Sequence, residues 1–210
     1  MGIKERKARE AEERREQILA AAEEIINEQG IDKLSVRKIA SRIEYSPSII
    51  YHYFKDKDEI LTHLMGKSYM KIVGVLRSAE ASTDDPLVKI RKMTESYILL
   101  ALQMPEQYKT IMLNSSPDIL THTAVLFDGA STKRPAVAIL CQCLRHLPRY
   151  KEAKDKEVEL TAQIIWATTF GLIIRLIIEG HTDKNQQSQL IQHHIQLIED
   201  GIIWEETVKL

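Results

Sequence analysis

The chain has 210 residues, of which 44% are apolar, and its formal net charge is −1. This length and apolar content are sufficient for a substantial hydrophobic core in one large or two modest domains. The charged segment Met1–Arg15 argues against a secretory signal, and the apolar stretch 164–178 is interrupted by Thr168, Thr169 and Arg175. We therefore expect a cytoplasmic protein without a membrane span.

The N-terminal part of the chain is predicted to be helical up to Gly30. In Lys4–Arg15, acidic and basic residues alternate with alanines, which is typical of the solvated start of a helix or of a loose arm. The interspersed glutamates argue against a basic arm that enters a minor groove. A firm amphipathic helix follows and ends at Gly30, a residue favoured just past a helix C-terminus. Its apolar face comprises Ile18, Leu19, Ala22, Ile25 and Ile26.

The segment Leu34–Lys57, L-S-V-R-K-I-A-S-R-I-E-Y-S-P-S-I-I-Y-H-Y-F-K-D-K, predicts two short helices joined by a tight turn at 44–45. Ser35 is the expected N-cap of the first helix, because its hydroxyl can accept a bond from a free backbone N–H. The second helix is expected to begin with Ser46 as N-cap and Pro47 at the first helical position. The first helix carries an apolar stripe at helical spacing, formed by Val36, Ile39, Ala40 and Ile43.

The second of these helices has an apolar side and a polar side. At 100° per residue, the core side comprises Ile49, Ile50, Tyr53 and Phe54. The outward side comprises Pro47, Ser48, Tyr51, His52 and Lys55. Hydroxyl and basic groups on such a helix reach phosphates and base edges in a major groove. Leu34–Lys57 holds five basic and two acidic residues, a local charge of +3. Together these features predict a DNA-reading helix-turn-helix.

Residues 14–65 resemble the N-terminal domain of TetR-family transcriptional regulators, in which a helix precedes the motif and a lysine begins the helix after it. The resemblance implies that Arg37 reaches a base and that Pro47 and Ser48 lie over base edges. It further implies that the phosphate backbone is bound by Tyr51, His52, Tyr53 and Lys57. The candidate DNA-contacting residues are therefore Ser35, Arg37, Ser46, Pro47, Ser48, Tyr51, His52, Tyr53 and Lys57.

Two positions depart from the pattern of that family. Glu44 stands in the turn where a glycine is usual, and glycine adopts positive φ at low cost. Ile49 stands where threonine or another small polar residue is common, which removes one possible phosphate contact. Both departures are expected to affect base preference rather than DNA binding itself.

The rest of the chain is predicted to form helices only. Asp56 is the expected cap of a fourth helix, with Glu59 at the third helical position, and this helix runs to about Ala79 as a lever between the DNA-reading part and the remainder. Asp85 and Pro86 begin a fifth helix. That fifth helix is expected to run to Met104. The other expected elements are helices from Pro105 to about Asn114, 118–127, 136–147, Asp155 to Glu179 and Asn185 to Glu205, with a loop at Asp128–Pro135.

The predicted fold is therefore all-α, a three-helix helix-turn-helix DNA-binding domain followed by a helical effector-binding and dimerisation domain. The expected division is 1–60 for the first, with its motif at about 35–54, and 61–210 for the second. The last two helices are apolar on more than one side, whereas a helix with one solvent-exposed side needs only a single apolar stripe. This favours a homodimer with a two-fold four-helix interface, the alternative being an interior helix pair of a monomer.

A cluster of methionines and aromatic residues is predicted to bind a small apolar effector. The candidate contacts are Tyr69, Met93, Tyr97, Met104, Tyr108, Met112, Trp166 and Phe170. Residues of these types at helical spacing are also typical of an ordinary core. The stretch W-A-T-T-F-G-L at 166–172 resembles a Trp-His-Gly signature of one group of these effector domains, with Phe170 at the histidine position.

The sequence predicts no metal, no cofactor and no catalytic site. Cys141 and Cys143 point about 200° apart on a helix, which suits neither a disulfide nor a shared metal. No helical ligand pair occurs among His63, His122, His146, His181, His193 and His194. Glycine-rich phosphate loops, nucleophile elbows and paired carboxylates do not occur either.

These patterns favour a homodimeric, ligand-responsive regulator that represses transcription from a palindromic double-stranded DNA operator and leaves it when a small apolar effector binds. The alternative is a regulator of the same fold that is controlled by a protein partner, with a filled C-terminal core and no pocket. A helical enzyme is disfavoured because acid–base and metal constellations are absent from the sequence.

Overall fold

The computed structural model describes residues 2–180 and 183–203, without the side chains of Ile3 and Asp118. Throughout these residues the regular elements are helices, as predicted. The described chain divides into two compact units. The first comprises residues up to Tyr69 together with Glu106–Thr121, and the second comprises Met70–Pro105 and the described residues from His122 onwards. The predicted division of roles at residue 60 stays a prediction.

The first unit is formed by three complete helices and parts of three others. The complete helices are α1 (Ile3–Gln29), α2 (Val36–Arg42) and α3 (Pro47–Tyr53). The others are α4 (Lys57–Glu80), which continues into the second unit, α6 (Pro105–Met112) and α7 (Pro117–Thr123). Their buried core includes Ile18, Ile25, Ile39, Ile50, Phe54, Ile60, Ile111 and Ile119.

Local signals explain where these helices begin and end. Gly30 ends α1 with φ +81°, and its N–H donates to the carbonyl of Ile26. The Ser35 hydroxyl accepts from the Lys38 N–H at 3.3 Å, which confirms the predicted cap of α2. The Asp56 carboxylate accepts from the Glu59 N–H at 2.9 Å at the start of α4. The charged N-terminal segment is part of α1, so the loose-arm alternative is wrong.

The second unit contains α5 (Pro86–Gln103), α8 (Ala130–Lys133), α9 (Pro135–Arg145), α10 (Asp155–Glu179) and α11 (Lys184–Ile203). The Asp85 carboxylate caps α5, as predicted, by accepting from Leu87 and Val88 N–H groups. Central α10 packs against α5, α9 and α11. Between α5 and α10 the rings of Tyr97 and Trp166 stack at 4.7 Å.

Several predicted boundaries in the second half of the chain are wrong. The helix predicted at 118–127 is α7 and ends at Thr123, and the helix predicted at 136–147 is α9, which ends at Arg145. The predicted loop Asp128–Pro135 contains α8. The last helix begins at Lys184, and its predicted end at Glu205 lies outside the described residues.

A buried carboxylate explains why α8 forms inside that predicted loop. Glu159 on α10 accepts hydrogen bonds from the Gly129 and Ser131 N–H groups at 2.7 Å each, so it caps the first turn of α8. Burial alone would raise the pKa of Glu159, but the hydrogen bonds from the Ser131 hydroxyl and from the backbone N–H groups of residues 129–131 together outweigh burial and lower it. One turn further along α10, Gln163 donates to the carbonyls of Val125 and Phe127.

The apolar character of α10 follows from its central position. By length and composition alone this helix could cross a membrane, with a mean hydropathy of 1.6 over 18 residues. Its two threonines and Arg175 therefore do not by themselves exclude a membrane span, contrary to the expectation from the sequence. A core helix of a globular protein meets the same test, and α10 contacts three other helices. Both cysteines are free, and burial raises the pKa of each thiol to about 11.

The turn between α2 and α3 has the backbone conformation that the family pattern requires, although a glutamate occupies it. Glu44 has φ +59°, the only positive φ of a non-glycine residue within the described ranges. Its N–H donates to the Ser41 carbonyl at 3.3 Å, and the Tyr45 N–H donates to the Ala40 carbonyl at 2.8 Å. This pair of bonds is a Schellman motif, in which the left-handed position is normally glycine.

Replacing Glu44 by glycine is therefore expected to stabilise the protein. The left-handed conformation costs a residue with a Cβ about 1 to 2 kcal/mol, and part of the gain is offset by the greater freedom of glycine in the unfolded chain. We expect Glu44→Gly to raise the free energy of unfolding by about 0.5 to 1 kcal/mol in urea denaturation. Glu44→Ala removes the same carboxylate but keeps the Cβ, and it should give no such gain. Equal stability of the two variants would contradict the explanation.

Candidate nucleic-acid interface

The outward face of α3 lies open to solvent, as its helical phase predicts. Pro47, Ser48 and His52 are exposed, and the Tyr51 side chain is 57% exposed. On the opposite side Ile50 and Phe54 are completely buried. The short helix is thus fixed by its apolar side while its polar side remains available for a partner.

The remaining predicted positions on the core side of α3 are only half-buried. Ile49 and Tyr53 both have this intermediate exposure. The Tyr53 ring contacts the ring of His52 edge to face, with centroids 5.1 Å apart. Tyr53 therefore contributes to packing and also keeps part of its ring accessible, which is compatible with its predicted role at the phosphate backbone.

Ser46 occupies the predicted N-cap position of α3, but its hydroxyl makes no capping bond. The Ser46 and Ser48 hydroxyl oxygens instead lie 2.7 Å apart in a hydrogen bond. Pro47 at the first helical position lacks an N–H and so needs no acceptor there. The N-terminus of α3 therefore presents two paired hydroxyl groups on the surface predicted to face base edges.

The basic residues of the motif do not all point to one surface. The local charge of +3 counted over Leu34–Lys57 is therefore not all available on the outward face. Arg42 donates to Glu28 of α1 at 2.6 and 2.8 Å and also lies 3.4 Å from Glu24. The hydrogen bond to Glu28 is the main reason why the pKa of the Arg42 guanidinium is raised. Lys38 donates to Gln29 at 2.6 Å. By contrast, Arg37 is exposed on α2.

Lys57 is the first residue of α4 and is half-buried. The backbone around it is held by a reciprocal pair of bonds, since Glu59 donates its N–H to Asp56 and accepts the Lys55 N–H at 2.6 Å. This resembles the predicted capping box, shifted by one residue because the side chain of Glu59 reaches Lys55. These bonds fix the position of the Lys57 backbone relative to the end of α3.

Two arginines of α1 hold α3 in place, and sequence reasoning did not identify either. Arg14 lies over the Tyr45 ring, 4.4 Å from its centroid, and hydrogen-bonds to its hydroxyl. Arg15 donates to the Tyr53 carbonyl at 2.7 Å, at the end of α3. It also lies over the Phe54 ring, 4.4 Å from the centroid. These arginines therefore hold the turn before α3 and the C-terminal end of α3.

Arg15 further connects α3 to the start of α4. Its Nη2 lies 3.1 Å from Nε2 of His63, and the His63 ring contacts Phe54 edge to face at 5.6 Å. A cation next to the final carbonyl of a helix is also favoured by the helix dipole. One side chain thus joins three helices directly behind the predicted phosphate-binding residues.

The predicted effector contacts fall in both compact units. Tyr69, Tyr108 and Met112 belong to the first unit, where Tyr69 and Tyr108 are buried and Met112 packs partly buried against the core. The second unit holds Met93, Tyr97, Met104, Trp166 and Phe170. Three of these, Met93, Tyr97 and Trp166, line a gap of about 20 Å³. Met104 and Phe170 are half-buried.

A larger apolar groove lies between α10 and α11 on the surface of the second unit. Its volume is about 500 Å³. Its lining includes Leu160, Ile164, Thr168, His194, Leu197 and Ile202. The His194 imidazole lies 2.9 Å from the Thr169 hydroxyl, and burial lowers its pKa. The side chains of Leu160, Ile164 and Leu197 are each more than half exposed.

Among the residues that the structure describes, no group of three histidine, cysteine, aspartate or glutamate side chains is placed to hold a metal ion. His181, one of the scattered histidines, lies outside the described residues.

Known proteins are similar to this chain both within the helix-turn-helix motif and over most of its length. Residues 18–64 match the family model described as bacterial regulatory proteins, tetR family. The chain is 24% identical to the HTH-type transcriptional regulator BetI of Yersinia pestis (strain Pestoides F) over 183 residues, 86% of this chain and 89% of BetI. It is 26% identical over 168 residues to the HTH-type transcriptional repressor BepR of Brucella suis biovar 1, covering 78% of this chain and 80% of BepR.

The fold is also similar to that of solved proteins. A Rhodococcus sp. RHA1 protein of unknown function superposes with a TM-score of 0.71 at 18% identity, covering 90% of this chain and 95% of the other. That likeness concerns the fold alone. Taken together, the helix-turn-helix surface, the family match over residues 18–64 and the similarity to the two regulators support a TetR-family transcriptional regulator.

Proposed function

We propose that the protein is a homodimeric repressor that binds a palindromic operator and is released from it by a small apolar effector. The observation that carries the DNA-binding part is the outward face of α3, where polar side chains are exposed above the buried Ile50 and Phe54. A helix of this kind can enter a major groove of about 12 Å width. A repressor of this type acts on the chromosome, so we place it in the cytoplasm.

The test begins with selection of binding sites from a random pool of duplexes, followed by titration of variants. Tyr51→Phe and Lys57→Ala are expected to weaken binding to all sequences similarly, since phosphate contacts carry no base information. Loss of the Lys57 contact should also reduce the salt slope by about 0.9 per protomer. Arg37→Ala should instead relax preference at one base position, by about 1 to 3 kcal/mol.

The three variants serve as controls for one another. A loss confined to one sequence would refute the role of Tyr51 or Lys57 as a backbone contact. An unchanged binding-site preference in Arg37→Ala would refute its role at a base. Absence of any duplex binding by the unmodified chain would overturn the proposed function as a whole.

Exposed apolar residues on the last two helices support the dimer. Leu160, Ile164 and Ile178 of α10 and Leu190, Leu197 and Ile203 of α11 are all exposed. Three of them, Leu160, Ile164 and Leu197, line one groove, and contiguous apolar surface of this kind marks an interaction site. We propose that a second copy covers it through a two-fold interface of four helices. Two recognition helices related by that axis would require two half-sites about one helical turn of DNA apart.

The aromatic and thioether groups of the second unit support an apolar effector. Tyr97 and Trp166 stack closely next to Met93, and the gap among them is about 20 Å³. Ligand pockets usually measure about 300 to 1,000 Å³, so an effector would have to separate these side chains. An effector acting this way selects a conformation other than the present one, which is a population shift. We propose that α4, which supplies residues to both units, transmits this change.

The small size of that gap also favours a second candidate. A regulator of the same fold could answer to a protein partner and keep a filled C-terminal core. Thermal unfolding in the presence of a panel of apolar compounds separates the two candidates, since a ligand specific for the folded state raises Tm. Release of DNA by such a compound would support the effector, and release only by a protein would support the partner.

A further inference from the structure

The N-terminal part of α1 extends well beyond the core that the helix helps to form. The first buried core residue of α1 is Ile18, whereas the helix begins at Ile3. Packing of the first unit therefore does not account for the first three turns, which precede Arg14. The charged side chains on these turns are exposed and can interact with a partner.

Charges on this extension are sorted by helix face. With 3.6 residues per turn, Lys4 and Lys7 each lie within about 30° of the midline between Arg14 and Arg15. Arg6 and Arg9 lie about 130° and 170° from that midline. The four glutamates of the segment, Glu5, Glu10, Glu12 and Glu13, lie at least about 90° from it. One face of the extension is therefore basic only, although the segment alternates in sequence.

Contacts in the structure neutralise the other face and leave the basic face available. Arg6 pairs with Glu10 at 3.3 Å and Arg9 with Glu13 at 3.5 Å. Glu5 accepts the Gly2 N–H at 2.8 Å. Lys4 and Lys7 form no ion pair with any residue in the described ranges and are exposed.

The basic face points to the same side of α1 as the recognition helix. Arg14 and Arg15 define that side, because they contact Tyr45 before α3 and Tyr53 at its end. At 1.5 Å per residue, Lys7 lies about 10 Å beyond Arg14 and Lys4 about 16 Å beyond Arg15 along the helix. These distances are similar to the width of a major groove, about 12 Å, so both lysines can reach a strand that borders the groove holding α3.

We propose that Lys4 and Lys7 bind the phosphate backbone of the duplex that α3 reads, outside its major groove. This inference rests on the proposed DNA-binding function. Charge complementarity and continuity with the exposed face of α3 support it. The lysines add affinity for any sequence, because phosphate contacts do not distinguish bases.

The test measures the affinity of the full chain for a fluorescent 40-base-pair duplex of random sequence, and for a selected operator, over a range of KCl concentrations. The double variant Lys4→Gln/Lys7→Gln is expected to lower the slope of log affinity against log salt by about 1.8 per bound protomer. At 0.1 M KCl this corresponds to a loss of tens of fold on both duplexes. Lys4→Arg/Lys7→Arg should retain the slope of the unmodified chain.

Arg6→Gln/Arg9→Gln is the matched control, since it removes the same two charges from the same helix. Its slope should change by less than about 0.5, because these arginines face away and are paired. Equal losses in the two glutamine variants would overturn the proposal in favour of net charge alone, and so would an unchanged slope in Lys4→Gln/Lys7→Gln. If that slope is unchanged while Tyr51→Phe still weakens binding, the proposed function stands and only this inference fails.

Discussion

Leu197→Asp is expected to convert the proposed dimer into monomers and to abolish high-affinity operator binding. The Leu197 side chain is 57% exposed and lines the groove between α10 and α11. Covering it with a second copy removes a leucine from water on each protomer, and an aspartate there would be a charge without a partner. Two such sites per interface make a loss of at least about 1000-fold in dimer affinity the expected result.

Analytical ultracentrifugation at micromolar concentration measures this directly. Ile164→Asp on α10 should have the same effect, because Ile164 is 61% exposed and lines the same groove. Leu99→Asp is the control, since it places the same charge at a leucine that is 47% exposed on α5. A dimer that persists in both Leu197→Asp and Ile164→Asp would exclude this face as the interface.

Arg15→Ala is expected to weaken binding to every duplex by at least about tenfold and to lower the free energy of unfolding by about 2 to 3 kcal/mol. The charged hydrogen bond to the Tyr53 carbonyl and the contact with the Phe54 ring are both lost. The end of α3 would then lose its connection to α1, and the phosphate-binding side chains would lose their fixed positions. Urea denaturation and duplex titration measure the two effects.

Two further substitutions show whether geometry or charge is responsible. Arg15→Lys keeps the charge but cannot reproduce the planar guanidinium that lies over Phe54, so we expect an intermediate affinity. Arg6→Ala removes a cation that pairs with Glu10 on an exposed face and should leave stability nearly unchanged. If Arg15→Ala behaves like Arg6→Ala in both measurements, Arg15 does not position the recognition helix.

Local sequence signals were sufficient to predict the helix starts at Ser35, Asp56 and Asp85. In each case the capping side chain bonds to a backbone N–H two or three residues away, so a short stretch of sequence contains both partners. The missed helix α8 shows the limit of such signals. Its N-terminus is capped by Glu159, which is 28 to 30 residues distant in sequence. Only the tertiary structure brings that carboxylate into place.

The difference between partners close in sequence and partners distant in sequence also explains which features of the predicted DNA-binding surface could be predicted. Helical phase predicted that Tyr51 and His52 face outward, since side chains on a short helix follow from its period alone. The roles of Arg14 and Arg15 depend on an aromatic ring, a carbonyl and an imidazole 31 to 48 residues away. Counting charges likewise could not reveal that Arg42 is bound by Glu28.

The contribution of Glu106–Thr121 to the first unit restricts how such a regulator can be recombined. Ile111 and Ile119 belong to the same buried core as Ile18 and Ile50, and Gln107 donates to Glu23 of α1 at 2.8 Å. A gene fusion made at the end of α4 would transfer the DNA-reading helices but leave these core residues behind. Exchange of specificity between relatives must therefore carry two separate segments of the gene, or else rebuild the apolar surface that the second segment covers.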